Sequence, residues 1–253
     1  MPLFKDRVAL VTGSTGEGLG RSIAFTLARE GARVALNYGT GHPHNRHAAD
    51  KVLTEIRHLG GKGFAFRADT REEDEIRSMI EGMRKIYGRL DFLICNAGGA
   101  WDKKDITEIK QEHWRSVVKA EVDGLFYCIK HSLPVMREAR FGRIIAVGFA
   151  GIESVQGLPL DYTIGKVARH ALIQKIARAE IKNGITCNVV APSPTSRPTM
   201  KQAVDAAKHT PPWKRRTSPT PQDGAEVVKF LCSDEATFVT GNIITIAGSV
   251  DWP

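Results

Sequence analysis

The stretch "VALVTGSTGEGLGRSIAFTLA", residues 8–28, decides the fold of this 253-residue chain. It runs from an apolar strand pattern, through four glycines, into a helix pattern whose apolar residues share one face. Glycines in such a turn let a phosphate approach the backbone N–H groups and the positive end of the following helix. The first interpretation of the stretch is therefore nucleotide binding, and a purely structural turn is the alternative.

The alternation of strand and helix continues along the chain. Apolar runs typical of strands lie at 7–13, 33–38, 63–69, 90–99, 142–148, 185–192 and 242–248, with amphipathic helix patterns between most of them. This order predicts an α/β fold, a doubly wound parallel sheet of about seven strands with helices on both faces. The length fits a single domain over residues 1–253. The Pro-rich, charged stretch 192–221 interrupts the alternation, and we predict that it forms a substrate lid rather than a disordered linker.

Composition bounds the location and the partners. The chain has 42% hydrophobic residues and no apolar run near the ~18 residues of a membrane span. Its start lacks the features of a signal peptide, and its four cysteines lack metal-binding spacing, so we expect a cytoplasmic protein with buried reduced thiols and no metal. The net charge of +8 is compatible with nucleic acid or with anionic small molecules, but no nucleic-acid motif accompanies it. We therefore expect a small-molecule substrate, without nucleic-acid or membrane binding. The basic cluster at 214–216 is interpreted as a solvated loop, with a phosphate or carboxylate contact as the alternative.

Three further segments accompany the glycine turn: "CNAGG" at 95–99, "YTIGK" at 162–166 and "FLCSDEATFVTGNIITIAG" at 230–248. Together, and in this order, they resemble the short-chain dehydrogenase/reductase family over essentially the whole chain. The resemblance implies a Rossmann-like fold, a nicotinamide cofactor and a homodimer or homotetramer. The family turn reads TGxxxGxG, whereas "TGSTGEGLG" has one extra residue between Gly13 and Gly18. The turn should therefore bend differently while still holding a phosphate.

The cofactor prediction rests on the end of the second strand. NAD-binding chains typically place Asp or Glu there, but this chain has Tyr38, followed by Thr40, His42, His44 and Arg46. No carboxylate repels a 2′-phosphate, so we predict NADP(H) in preference to NAD(H); a solvated loop is the alternative for the histidines. The resemblance places Asp69 beside the adenine, although an Asp at a strand end also caps helices. The predicted cofactor-binding residues are Gly13, Ser14, Thr15, Gly18, Leu19, Tyr38, Asp69, Asn96, Ala97, Gly98, Tyr162, Lys166, Pro192 and Thr195.

Tyr162 and Lys166 are the first catalytic candidates. Four residues apart, they share one face of a helix, whose apolar pattern begins near Lys166. A nearby ammonium lowers the pKa of a phenol from about 10, which makes Tyr162 a usable proton donor or acceptor. The resemblance assigns both residues to catalysis; a surface helix is the alternative.

The rest of the catalytic set departs from the family. Phe149 stands where the family has a Ser that hydrogen-bonds the substrate oxygen, and losing one such donor costs about 2.7–4 kcal/mol of transition-state stabilisation. Ser154 replaces that donor only if its loop folds back. Glu121 stands where the family has an Asn. It falls within the apolar stripe of its helix, which comprises Trp114, Val117, Val118, Val122, Leu125, Phe126 and Ile129.

A buried carboxylate needs a partner, and Lys166 is the expected one. That pairing would leave Tyr162 more firmly protonated and favour it as an acid. Arg197 stands where a Thr usually contacts the nicotinamide carboxamide. It is interpreted either as a ligand for an anionic substrate or as a surface residue.

Three functions are compatible with these residues. The first is an NADPH-dependent reductase that acts on an activated C=O or C=N group, with Tyr162 as proton donor and Phe149 as a pocket wall. The second is a non-redox lyase, isomerase or cyclase that uses Glu121 and Tyr162 as acid and base. The third is a binding protein with a decayed site. The intact Tyr–Lys pair and the nearly complete nucleotide site favour the reductase.

Overall fold

The expected strands all form. The computed structural model describes residues 2–39, 44–99, 102–152, 158–208 and 219–247. Its strands are β1 Val8–Val11, β2 Arg33–Tyr38, β3 Lys62–Arg67, β4 Phe92–Cys95, β5 Gly142–Val147, β6 Ile185–Pro192 and β7 Ile243–Ile246. They pair in parallel in the order β3-β2-β1-β4-β5-β6-β7. The predicted single-domain, doubly wound parallel sheet is confirmed.

The strand order reverses between β1 and β4. The chain builds outward from β1 through β2 to β3, and then returns to place β4 on the other side of β1. Val11 pairs with Ile94, so β1 and β4 end at nearly the same level. Ligands of open α/β sheets bind outside the carboxyl ends of the strands at such a reversal. The glycine turn and the "CNAGG" segment therefore meet at one edge of the sheet.

Helices cover both faces of the sheet. They are α1 Leu19–Arg29, α2 His44–His58, α3 Glu73–Tyr87, α4 Gln111–Val118, α5 Gly124–Ala139, α6 Leu160–Glu180, α7 Met200–Lys208 and α8 Pro221–Cys232. A π-helical turn, Lys119–Asp123, joins α4 to α5. Buried residues of α1, α2, α7 and α8 form one core layer, and those of α3, α5 and α6 form the other.

Strand β1 shows why the apolar runs are continuous. Side chains of a strand alternate between its two faces. Ala9 and Val11 accordingly pack into the layer of α1 and α8, whereas Val8 and Leu10 pack into the layer of α3 and α5. A strand that is buried on both faces has no solvent side to mark with polar residues.

Part of the predicted lid, 192–221, lies within the described residues. Its helix α7 packs Ala203, Val204 and Ala207 into the first core layer, and Arg29 NH1 donates to the Ala207 carbonyl at 2.5 Å. Residues 209–218 lie outside the described ranges. The lid therefore stays a prediction, and α7 is the described part of this segment that packs against the core.

Two boundary details differ from the sequence prediction. Helix α6 begins at Leu160, well before Lys166. Its apolar pattern starts late because Leu160 and Ile164 are exposed, while the buried face of the first turns carries polar residues. Phe126 is 45% exposed and so does not belong to the buried stripe. The other members of the predicted stripe are buried or half-buried, and α5 also buries Cys128.

The cysteines behave as the sequence predicts. Cys95, Cys128, Cys187 and Cys232 are buried free thiols. Among the described helices, none combines the length and the apolar character that a membrane crossing requires.

Candidate active site

The glycine turn brings α1 against the segment that follows β4. Gly13 has φ +60°, a left-handed conformation that favours glycine, and its N–H donates to Asn37 Oδ1 at 3.2 Å. A Cβ on Gly20 would lie 2.5 Å from Asn96 Nδ2 and 2.8 Å from the Gly13 carbonyl oxygen. The lack of side chains at these two glycines therefore permits the close approach of helix and strand end.

Asn96 ties the two strand ends together. Its N–H and that of Ala97 both donate to Thr12 Oγ1 at 3.0 Å. Its side-chain amide donates to the carbonyls of Thr12 and Gly13, each at 3.0 Å. At the N-terminus of α1 the cap residue is Gly18, which has no side chain that could accept a hydrogen bond from the first backbone N–H groups of the helix. This rigid wall beside an uncapped helix end suits a pyrophosphate.

The end of β2 carries the residues predicted to select the nucleotide. Tyr38 is buried, and the hydrogen bonds that the Arg46 guanidinium donates, first to Tyr38 and then to Asp50, raise its pKa. Arg46 Nε lies 3.1 Å from Asp50 Oδ1 on the same helix, and its side chain is exposed. The structure thus places Arg46, an exposed cation, beside Tyr38. Thr40, His42 and the side chain of His44 lie outside what the structure describes.

Asp69 holds the turn before α3. Its carboxylate accepts from Arg71 Nε at 3.0 Å and from Arg71 NH2 at 2.6 Å. These hydrogen bonds are the largest of the effects that lower the pKa of Asp69, and they outweigh its partial burial. The N-cap of α3 is Glu72, so Asp69 is not the cap of that helix. Its carboxylate is therefore paired with the Arg71 guanidinium.

A cleft of about 310 Å³ opens at the carboxyl edge of the sheet. It brings together nine of the predicted site residues: Leu19, Asn96, Gly98, Glu121, Phe149, Tyr162, Lys166, Pro192 and Thr195. Gly99, Val147, Gly148, Ser193 and Pro194 complete the lining. Arg197 instead lines a neighbouring cleft between the segment after β6 and the helices α1 and α8. Ser154 falls in 153–157, outside the described ranges.

Phe149 and Tyr162 form adjacent walls of this cleft. Their ring centroids are 6.2 Å apart and the rings are nearly perpendicular, the edge-to-face geometry that aromatic pairs prefer. Phe149 is buried two residues after β5. The position expected to hold a hydroxyl therefore presents an apolar surface beside the phenol.

The expected ion pair between Glu121 and Lys166 is present. Glu121 lies in the π-helical turn with no exposed surface, and its Oε2 is 3.0 Å from Lys166 Nζ. A second cation, Arg169, places NH1 3.2 Å from the same oxygen. Glu121 Oε1 accepts the Gly99 N–H at 2.7 Å. Three donors thus compensate one buried carboxylate.

These charges set the protonation of the cluster. Burial by itself raises the pKa of Glu121, but Lys166 and Arg169 outweigh it, so that pKa lies below its ordinary value. Burial and then the charge of Arg169 lower the pKa of Lys166 to about 8, against the opposing effect of Glu121. Burial and then the charge of Glu121 raise the pKa of the Tyr162 phenol well above its ordinary range. Near neutral pH the cleft therefore contains a neutral phenol, a carboxylate and an ammonium.

The sequence interpretation missed Arg169 and Gly165. Arg169 lies seven residues after Tyr162 and three after Lys166, so helical periodicity puts all three on one face. A Cβ on Gly165 would lie 2.6 Å from Glu121 Cβ, so the glycine leaves the space that Glu121 fills. The sequence signal that could have identified both residues is a Glu predicted to be buried opposite a helix that carries Gly165 one residue before Lys166 and Arg169 three residues after it.

The chain is similar to known proteins over nearly its whole length. A family model described as enoyl-(acyl carrier protein) reductase matches residues 13–249. A 3-oxoacyl-(acyl-carrier-protein) reductase from Staphylococcus epidermidis is 34% identical over 97% of this chain and 99% of its own length. A cyclohexanol dehydrogenase from Acinetobacter is 31% identical over 97% of this chain and 95% of its own length. Among solved structures, a dehydrogenase/reductase from Sinorhizobium meliloti superposes with a TM-score of 0.82 at 29% identity, covering 98% of this chain and 96% of that one.

The sheet order, the cleft at its carboxyl edge and these end-to-end similarities agree with one another. The chain belongs to the short-chain dehydrogenase/reductase family of oxidoreductases.

Proposed function

We propose that this oxidoreductase is an NADPH-dependent reductase of an activated C=O or C=N group, with Tyr162 as the proton donor. The observation that carries the proposal is the arrangement of Tyr162 and Lys166 in one cleft with the glycine turn's helix at its rim. The family has a Ser hydroxyl and an Asn amide at two further positions of its catalytic set. This chain has Phe149 and Glu121 at those positions, so neither group is present as an alternative donor.

The residues of the cleft fit a nicotinamide dinucleotide. The turn at Gly13 to Gly18 and the uncapped start of α1 suit its pyrophosphate, and Asn96, Ala97 and Gly98 form the wall that the family uses against it. Arg46 beside Tyr38 supports the 2′-phosphate of NADP(H) rather than the free hydroxyl of NAD(H). Pro192 and Thr195 lie at the cleft, where a carboxamide would be held. When bound, the nicotinamide supplies the hydride.

The protein's own contribution is the proton. Reduction adds a hydride to carbon and a proton to the oxygen or nitrogen, and Tyr162 O–H is the donor that lines the cleft. Its raised pKa keeps the phenol protonated near neutral pH, so Tyr162 is available there to donate a proton and not to accept one. Lys166 stands behind the ring, with Nζ 5.1 Å from its centroid, as a fixed positive charge near the developing oxyanion.

Phe149 restricts the substrate class. The phenyl ring cannot polarise a carbonyl, so the substrate must carry its own activation. A 3-oxoacyl thioester does so through its second carbonyl, and the name of the Staphylococcus relative indicates that this class is reduced by a similar chain. An iminium, or an imine that has been protonated, carries its activation as a positive charge, which the Phe149 ring would accommodate. An anionic substrate that reaches Arg197 would have to extend into the neighbouring cleft.

The structure argues against a non-redox reaction in which Glu121 is the general base. Both oxygens of its carboxylate already accept from donors, and its pKa is lowered. Such a group is a poor proton acceptor. A decayed site would also not need a buried carboxylate with three donors, which is costly to assemble.

Three further expectations accompany the proposal. Exposed apolar residues on α5 and α6, such as Phe126 and Ile164, support a homodimer or homotetramer. The four buried free thiols support a reducing, cytoplasmic location. The segment 192–221, which follows β6 at the cleft, is proposed to cover the substrate.

The test is NADPH consumption with matched substrates. An acetoacetyl thioester and a cyclic imine represent activated acceptors, and cyclohexanone represents a plain ketone. We expect turnover of at least one activated acceptor and little turnover of cyclohexanone. Faster reduction of cyclohexanone than of both activated acceptors would contradict the proposed substrate class.

A further inference from the structure

One guanidinium joins three parts of the site. Arg169 is 1% exposed, and its NH1 donates to the Ala97 carbonyl at 3.0 Å and to the Glu121 carbonyl at 3.2 Å. Its NH2 donates to the Cys95 carbonyl. The same NH1 lies 3.2 Å from Glu121 Oε2. Arg169 thus connects the end of β4, the Asn96 segment and the π-helical turn to the helix that carries Tyr162 and Lys166.

Gly165 makes this arrangement sterically feasible. Its hypothetical Cβ would lie 2.6 Å from Glu121 Cβ and 2.9 Å from Glu121 Cγ, distances that real Cβ atoms do not show. Glycine inside a long helix disfavours the helix, so its presence at this position needs a reason. The reason is the side chain of Glu121, which fills the space next to α6. The carboxylate, the glycine and the guanidinium therefore fit one another as a built unit.

The charges of the unit act on Lys166. The titratable groups that face Lys166 are Glu121 from the π-helical turn and Tyr162 and Arg169 from its own helix, while β5 presents the Val147 carbonyl oxygen at 3.4 Å. Glu121 attracts the ammonium and Arg169 repels it. Burial lowers the pKa of Lys166 most, Arg169 lowers it further and Glu121 opposes both, while the contacts of Arg169 hold the carboxylate in place.

We propose that Arg169 is a positioning residue of the active site, which clamps Glu121 against α6 and so sets the direction and the charge of Lys166 behind Tyr162. The inference rests on the proposed function, because it assigns Arg169 a part in the chemistry of Lys166 and Tyr162. It predicts that Glu121 and Arg169 act as one unit. Removing the Glu121 carboxylate alone leaves two buried cations, Lys166 and Arg169, whereas removing both Glu121 and Arg169 leaves Lys166 as the one cation of the three.

The first test follows the protonation of Lys166 without any ligand. The 13Cε resonance of Lys166, assigned with Lys166→Arg, is titrated in four variants: Glu121→Gln, Arg169→Leu, the double variant and Arg178→Leu. Arg178 lies on the exposed side of the same helix and serves as the matched control. We expect the midpoint to fall in Glu121→Gln and to rise in Arg169→Leu by about one unit, the usual effect of a charge at this distance. The double variant should fall between the two, and the control should match the wild type.

The second test measures kcat for NADPH-dependent reduction of the activated acceptor that the enzyme turns over, either the acetoacetyl thioester or the cyclic imine. We expect Arg169→Leu to raise kcat when it is introduced into Glu121→Gln, because it removes the uncompensated cation. A role in packing alone predicts the opposite, a double variant worse than either single variant. If the Glu121→Gln protein does not fold, Arg169→Lys decides, since it keeps the charge but not the fork that reaches Cys95, Ala97 and Glu121 together. We expect a lower kcat with NADPH affinity unchanged, and a wild-type kcat in Arg169→Lys would overturn the inference.

The two tests separate this inference from the proposed function. A Lys166 midpoint that none of the substitutions moves overturns the role of Arg169, whatever the enzyme reduces. Midpoints that move as expected in a protein that binds no nicotinamide leave the clamp in place and overturn the reductase.

Discussion

Glu121 Oε2 lies 3.0 Å from Lys166 Nζ, so a carboxylate without exposed surface compensates the lysine at the back of the cleft. The pair explains why Tyr162 is proposed as an acid. Burial raises the pKa of the phenol most, and the negative charge of Glu121 raises it further against the opposing charge of Arg169.

The pair also predicts a pH dependence. The pKa of Lys166 is lowered to about 8 by burial and by Arg169, so the ammonium is charged below that pH and neutral above it. Tyr162 stays protonated throughout this range. We therefore expect kcat/KM for reduction to be highest below pH 8 and to fall as pH rises through about 8. A pH profile of kcat/KM, which reports the free enzyme, checks this expectation. A profile that rises through the same range would contradict it.

Replacing Tyr162 by Phe removes the proposed proton donor and leaves the ring. We expect loss of most activity, because general acids contribute about 10²- to 10⁴-fold, with NADPH affinity retained. Steady-state kinetics and a fluorescence titration measure the two effects separately. Tyr127→Phe, on α5, is the control and should keep activity. Full activity in Tyr162→Phe would exclude it as the donor.

Replacing Phe149 by Ser restores a hydroxyl beside Tyr162. Because one such donor is worth about 2.7–4 kcal/mol, we expect a clear gain in kcat/KM for cyclohexanone. Phe149→Ala is the matched control, since it creates nearly the same space without a donor. Equal gains in both variants would show that space, and not hydrogen bonding, limits plain ketones.

Arg46 is an exposed cation that hydrogen-bonds Tyr38 at the end of β2. We expect Arg46→Ala to weaken NADPH binding by about 10- to 100-fold and to leave NADH binding unchanged, because one charge-assisted contact to a phosphate contributes about 1.5–3 kcal/mol. Arg57→Ala, on the exposed side of the same helix, is the control. The ratio of the two dissociation constants is the quantity to compare. An unchanged ratio would place the 2′-phosphate elsewhere.

Gly165→Ala tests the space that Glu121 occupies. In an ordinary helix interior this substitution stabilises by about 1 kcal/mol. Here the new Cβ would meet Glu121 Cβ, so we expect a loss of about 1–3 kcal/mol in the free energy of unfolding, as for other overpacked sites. Denaturant unfolding measures the change, and Gln174→Ala, an exposed position of α6, should have little effect. Increased stability in Gly165→Ala would mean that Glu121 has room to move.

Sequence periodicity predicted the sheet because its strands are buried on both faces. Runs such as Phe92–Cys95 stay apolar without alternation, and their separation by helices leaves little choice of topology. The site was predictable where motifs follow strands: Asn96 after β4 and Phe149 after β5 both reach the cleft. The partner of Glu121 was predictable because a buried carboxylate demands a cation.

The rest depended on features that a pattern does not carry. The start of α6 was placed too late because its buried face holds Asp161, Gly165, Lys166 and Arg169 in place of apolar residues. Phe126 is exposed although Leu125 and Ile129 of the same predicted stripe are buried, a difference that the apolar residue type alone does not indicate. Arg197 lines a different cleft because the segment after β6 runs on toward α7, a path that depends on tertiary packing.

We propose that this chain binds and uses a nicotinamide dinucleotide with a rebuilt proton donor set. The most direct measurement is a titration of the purified protein with NADPH and with NADH, followed by nicotinamide fluorescence and by energy transfer from tryptophan. We expect micromolar binding, with NADPH tighter than NADH. Binding of neither nucleotide would contradict it.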